Sequence, residues 1–339
     1  MTQPHSAAAR RWITSRRIAR LTVMVLLAIC CGNGSFVAAA DLPDASKVTA
    51  EKILEVPNYC EGVVFDHQGR GYISWKDTIT QFEAKRDPAT KKWSATGKPW
   101  AVTGAPNGHK ILADGTHLVC DASRHAVLHL DANGKMLDPA SIKCNDKALR
   151  GPNDLTLDTA LNGFYFTDPG ESGKDNLIGT VHYVDAKGIT HLVAGGLAFP
   201  NGIVLLPGGK TLLVAESQKN RILKYEVLSP GKVGELKVFA ELPTKTGTQV
   251  DNQPDGICLD AAGNLYVAHY GMQQVQVLNP EGKLIARYPG GNLTTSNVAF
   301  SGPEHGTLFV TGGLDVEQGK GGLFVLELGT PGLKILPAK

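Results

Sequence analysis

The sequence predicts an all-β fold, a six-bladed β-propeller with four-stranded blades. Three observations carry it. One unit recurs six times: an Asn, Asp or Glu leader, an apolar run, a turn bearing Gly, and a second apolar run. The runs are short and rich in β-branched and aromatic residues, with no sustained 3.6-residue period. Glycine is abundant at 39 of 339 residues while aromatics are only 6%, as expected of a turn-dense β chain.

The leaders are Glu61, Asn107, Asn153, Asn201, Asp255 and Asn297, separated by 46, 46, 48, 54 and 42 residues. Each is followed 8 to 10 residues later by its turn glycine, Gly69, Gly115, Gly163, Gly209, Gly263 and Gly306. A second run follows each time, as in Tyr72-Ile73 or Leu265-Tyr266-Val267. Third runs such as Val127–Leu130 and Ile222–Val227 come next, and shorter fourth runs such as Leu236–Ala240 and Leu284–Tyr288. Three or four strands at a period near 46 make a propeller blade, and six units make six blades. Ring closure needs a strand from the other terminus. Lys52–Val56 fits that place and Leu333–Leu336 competes for it. The propeller is assigned to 51–339, because cutting a ring exposes blade faces.

Residues 1–40 read as a secretory signal peptide: a leader with five arginines, the short apolar core Leu21–Ile29, and a small-residue cleavage site at Ala38-Ala39-Ala40. The apolar run is too short to span a bilayer, so the mature chain is expected to be exported, periplasmic or secreted, with no membrane span. Ser15-Arg16-Arg17 leaves Sec and twin-arginine export both open. Residues 41–50 form a polar lead-in. Of the cysteines beyond the signal peptide, Cys60 and Cys258 sit in apolar runs as buried thiols. Cys120 and Cys144 share a repeat and are the better disulfide pair. A net charge of +2 argues against nucleic acid as a partner.

In a propeller the first strand of each blade lines the channel, so the leaders converge on the axis. Two carboxylates, Glu61 and Asp255, then face several amides, an arrangement that a hard divalent cation compensates. Oxygen-only donors match Ca²⁺ best, with Zn²⁺, Mg²⁺ and Mn²⁺ as alternatives. The competing explanation is that Asn-Gly and Asp-Gly are ordinary turn pairs. Turn chemistry accounts for neither Glu61 nor the third copy, where Asp154 replaces Gly.

The chain resembles the SMP-30/gluconolactonase (LRE-like) family of six-bladed propellers over essentially everything after residue 50. The likeness is carried by Glu61-Gly62-Val63-Val64-Phe65-Asp66, Gly151-Pro152-Asn153-Asp154-Leu155, Pro200-Asn201-Gly202 and Pro254-Asp255-Gly256. It implies a metal held by Glu61, Asn201 and Asp255, with Asn153 beside it as a further metal and substrate contact. It also implies Asp255 as the catalytic proton carrier. Sugar-lactonase members carry an Arg two residues before that Asn. Gly151 stands there in this chain, with Arg150 out of phase, which argues against a sugar-acid lactone. The expected reaction is hydrolysis of a small-molecule lactone or ester, the metal polarising the carbonyl. Asn107, His109, Asn153 and Glu171 are the expected substrate contacts. Placed two residues after a leader, His109 should share its channel-facing side; it is either a base or a hydrogen-bonded structural histidine. Asp121 and Asp168 are expected near the same mouth. No Gly-x-Ser-x-Gly nucleophile elbow is present. The alternatives are a non-enzymatic NHL-like binding propeller, which calls for neither Glu61 nor Asn153-Asp154, and esterase, phosphotriesterase or strictosidine-synthase-like chemistry at the same site.

Overall fold

The computed structural model describes residues 42–245, 253–302, 305–315 and 319–334. The predicted signal peptide lies outside the described residues. Six antiparallel sheets surround a channel, each ordered outward from its inner strand. The inner strands are Cys60–Phe65, Pro106–Ile111, Leu155–Asp158, Pro200–Leu205, Gln253–Leu259 and Thr294–Ser301. Cys60–Phe65 is buried at every position, because blades cover both of its faces, whereas the outermost strand of the same blade, Trp93–Val102, is largely exposed.

The core is a ring of inter-blade layers. Val64, Tyr72 and Ile79 of blade 1 pack on Ile111, Val119 and Leu128 of blade 2. Phe65 and Phe82 pack on Phe309 and Leu323 of blade 6, so the last layer joins the last blade to the first. Turns at the far end of the inner strands are built by side-chain acceptors. Asp66 Oδ1 accepts from the N–H of Gln68 and Arg70, each at 2.9 Å, and Asp260 Oδ1 accepts from Ala262 and Asn264 at 2.9 and 2.8 Å. The left-handed backbone at Gly69 and Gly263 completes these turns.

Glu51–Val56 closes the ring as the outermost strand of blade 6, paired with Gly321–Glu327. The competing C-terminal segment goes elsewhere: Leu333 N–H donates to Leu259 O at 2.9 Å and Gly332 bridges Asp260. Blade 2 departs from the four-stranded expectation. It has three regular strands, and its fourth place holds only isolated bridges from Val127 to Ser141 and from Leu130 to Met136. The lead-in is docked, with Val48 buried between blades 5 and 6 and Tyr288 Oη donating to Pro43 O at 2.9 Å. The expected Cys120–Cys144 disulfide is absent: all four described cysteines are free and buried. Cys120 lies in the layer between blades 2 and 3, whereas the Cys144 thiol turns to Thr190 O at 3.5 Å.

Candidate metal centre at the leader end of the channel

Four leaders, Glu61, Asn107, Asn201 and Asp255, stand on β-bulges. In blade 1 the register passes from Glu61 opposite Ser74 to Val64 opposite Tyr72, three residues against two. The same extra residue follows Pro106, Pro200 and Pro254. A bulge re-aims a side chain, and here it turns the leaders to the axis. The glycine after the leader has a separate task. A Cβ on Gly62 would lie 2.0 Å from Asn107 O, one on Gly202 2.2 Å from Asp255 O, and one on Gly256 2.4 Å from the Asn297 side chain. Each glycine thus admits the next blade's leader. The Asn-Gly and Asp-Gly pairs are contact points between neighbouring blades within strands, not turn pairs.

Glu61, Asn201 and Asp255 meet in one buried cluster, at 8%, 7% and 6% exposure. Burial pushes the Glu61 carboxyl up from the usual 4.5 to about 7; the Tyr59 hydroxyl opposes this, the Asp154 charge adds to it, and the Asn297 amide opposes it. Asp255 is raised well above the ordinary carboxylate range, first by burial and then by the charge of Glu61, against the Asn201 amide. Burial raises Asp154 as well. Tyr59 Oη donates to Glu61 Oε1 at 2.6 Å, and the Tyr59 ring meets Tyr270 edge-on.

Two buried acceptors on leader residues have no hydrogen-bond partner: Glu61 Oε2, in this cluster, and Asn153 Oδ1, on the leader of blade 3. A proton could relieve the carboxylate, but the amide oxygen can only accept. A hard cation satisfies both, so these residues fit a divalent metal held by Glu61, Asn153, Asn201 and Asp255. Among the described residues no three His, Cys, Asp or Glu side chains group as ligands, so the amides are needed to complete such a site.

The remaining expected contacts fall in different places. Asn107 is half-buried beside the cluster, its carbonyl accepting from Ser74 Oγ at 3.0 Å. His109 does not face the channel: the bulge at Asn107-Gly108 reverses the phase that a regular strand would keep. It is buried between blades 1 and 2, with Nε2 2.7 Å from His117 Nδ1 and its ring near Tyr72 and Trp100. Burial holds both histidines below the usual 6.5, His117 at about 4. Glu171 is exposed in the loop beyond the second strand of blade 3. Arg150 is exposed and donates to Ile178 O.

Asp121 and Asp168 serve as backbone staples. Asp121 accepts from the N–H of Gly104 and Ala105 at 2.8 and 2.9 Å, and Asp168 from Arg150 and Gly151 at 3.0 and 2.7 Å. Those donors lie three and two residues before the leaders Asn107 and Asn153. Glu216 repeats the device on Ala198 N–H, three residues before Asn201, at 2.9 Å. An acid ending the second strand therefore fixes where the inner strand of its own blade begins, and with it the position of the leader.

Tyr59 and Asp154 are functional candidates that sequence reasoning did not place in the site. Asp154 carried a signal, as the residue replacing Gly after a leader. Tyr59 carried none, since it lies in the loop before the repeat begins.

The SMP-30/Gluconolactonase/LRE-like region model matches residues 59–313. The chain belongs to this family. Among its relatives, Lactonase drp35 of Staphylococcus saprophyticus is 33% identical over 253 residues, covering 71% of this chain and 73% of the relative. Diisopropyl-fluorophosphatase of Loligo vulgaris is 27% identical, covering 77% and 87%. Among solved structures, the calcium-binding protein regucalcin of Agrobacterium tumefaciens superimposes with a TM-score of 0.61 at 19% identity, covering 85% of this chain and 98% of that one. At that identity the likeness shows the fold alone. Membership in the SMP-30 family and the six-bladed ring agree with the sequence reading.

Proposed function

We propose that this chain is a divalent-metal-dependent hydrolase of a small lactone, with Ca²⁺ as the best-matched ion. The observation that carries the reading is the donorless buried oxygen Glu61 Oε2 beside Asp255 and Asn201, with a second donorless oxygen, Asn153 Oδ1, on the leader of blade 3. Such a group is costly to bury and gains nothing for the fold, which marks it as a binding site. The Staphylococcus relative, a lactonase, supports the choice of substrate class.

A bound divalent cation would polarise the substrate carbonyl and stabilise the oxyanion that develops on it. The chain's own residues supply the rest. Glu61, Asn153 and Asn201 orient their oxygens toward the axis from three blades. Asp255 Oδ takes a proton from the attacking water and returns it to the alkoxide that leaves as the ring opens. Tyr59, packed edge-on against Tyr270, holds the Glu61 carboxylate through its hydroxyl. Export directed by residues 1–40, an expectation from the sequence, would put this hydrolysis outside the cytoplasm.

The test is a panel of lactones, aryl esters and a phosphotriester assayed with native protein, chelated protein and Asp255→Ala. Lactone turnover lost on chelation and in Asp255→Ala is the expected result. Equal activity in all three preparations refutes the catalytic metal. Turnover of the phosphotriester alone would favour the chemistry named for the Loligo vulgaris relative.

A further inference from the structure

Lys110 stands out among the inner-strand residues. Those strands, with Asp154 next to the leader Asn153, bring the carboxylates of Glu61, Asp154 and Asp255 to one end of the channel. Lys110 is the one Lys or Arg on any inner strand among the described residues. Its Nζ lies 3.8 Å from Asp154 Oδ1, with side-chain exposures of 21% and 4%. On its other side Lys110 lines a cavity of about 470 Å³, walled by far-end residues such as Phe65, Ile111, Leu157 and Leu259. Lys110 therefore pairs with an acid of the cluster while lining this chamber, whose wall also carries Asp66, His305 and Lys334.

Asp154 is held in place by the fold. Its Oδ1 accepts from Leu155 N–H at 2.8 Å, and a Cβ on Gly108 would lie 2.4 Å from that same oxygen. Gly108 thus makes room for the acid, and Lys110, two residues further along the same strand, answers it. Counting three carboxylates and one ammonium, 3 − 1, leaves two negative charges. Glu61 Oε2, on a side chain more than nine-tenths buried, has no hydrogen-bond partner, and Glu61 feels the charge of Asp154.

We infer that Lys110 is a built-in monovalent cation that sets the charge of the centre, trimming three carboxylates to a site matched to a divalent ion. The inference rests on the metal-binding reading above and assigns Lys110 and Asp154 as specificity residues for the charge of the ion. A Coulomb interaction scales with ion charge, so loss of one ammonium favours a trivalent ion one and a half times as strongly as a divalent one in free energy.

The experiment is titration calorimetry of the metal-stripped full chain with Ca²⁺ and with Tb³⁺, the latter also read by sensitised luminescence. Lys110→Met is expected to tighten Ca²⁺ on the order of tenfold and Tb³⁺ about thirtyfold. Asp154→Asn should weaken both, and the double variant should return close to wild type. Lys110→Arg keeps the charge and should keep both affinities, which separates charge from packing, and circular dichroism verifies folding of each variant. If wild type binds neither ion, the metal-binding reading itself fails and takes this inference with it. If wild type binds but Lys110→Met matches Lys110→Arg, or the double variant is not restored, the metal reading stands and the charge-setting role is overturned.

Discussion

Neutralising Glu61 should make the cation-free protein more stable, not less. Glu61 is 8% exposed, and one of its oxygens lacks a donor. Its carboxyl is displaced from the usual 4.5 to about 7, which corresponds to about 3 kcal/mol at roughly 1.4 kcal/mol per pH unit. A raised carboxyl pKa means that the folded state binds the proton more tightly than the unfolded one. That contribution favours folding fully below about pH 4.5 and is lost as pH rises through about 7, so the charged site is most costly at pH 8. Glu61→Gln keeps the shape, keeps an acceptor for the Tyr59 hydroxyl and removes the charge. In chelator at pH 8 the variant should unfold later than wild type by on the order of 3 kcal/mol, or roughly 5 °C for a chain of this size. Excess Ca²⁺ should reverse the order, because wild type gains about 3 kcal/mol at a hundredfold excess over Kd and the variant gains little. Thermal and urea unfolding with and without Ca²⁺, at pH 5 and pH 8, reads all four states. The reasoning is refuted if Glu61→Gln is no more stable than wild type in chelator at pH 8. Full Ca²⁺ stabilisation in the variant would remove Glu61 from the ligand set.

Two further predictions concern the scaffold around the centre. Gly202→Ala places a Cβ 2.2 Å from the Asp255 carbonyl. It should cost roughly 1–3 kcal/mol and weaken Ca²⁺ binding. Gly195→Ala, whose nearest contact would be 3.6 Å away, should be close to neutral in the same melts and titrations. The His109–His117 pair should be an acid-sensitive joint between blades 1 and 2. The His117 pKa is depressed from 6.5 to about 4, so the stability of its neutral form is present above about 6.5 and lost as pH falls through 4. The loss is on the order of 3 kcal/mol for this 2%-exposed ring, and His117→Gln should flatten that part of the stability–pH curve.

The sequence by itself determined the fold class, the number of blades and the residues that lead them. These are readable because a blade is a local object: its strands are neighbours in the chain, its turns use side-chain acceptors a few residues away, and the pattern repeats six times. Closure by Glu51–Val56 was legible as one of two candidates and needed tertiary contacts to settle. Strand phase was not legible. A bulge adds one residue without leaving a composition signal, so His109 reads as channel-facing in sequence and lies between two blades in the fold.

The same distinction divides the site. Glu61, Asn201 and Asp255 are legible because each interrupts a repeated unit at a fixed place. The tertiary structure alone decided that Asp121 and Asp168 hold backbone instead of facing the mouth, and that the thiols of Cys120 and Cys144 do not meet. It also decided that Tyr59 and the Lys110–Asp154 pair share the centre with the leaders. Their interactions join blades 44 or more residues apart, or reach in from outside the repeat, and no local pattern encodes a distance across a ring. Ring closure brings the charges to within a few ångströms, and burial then sets how strongly they act on one another.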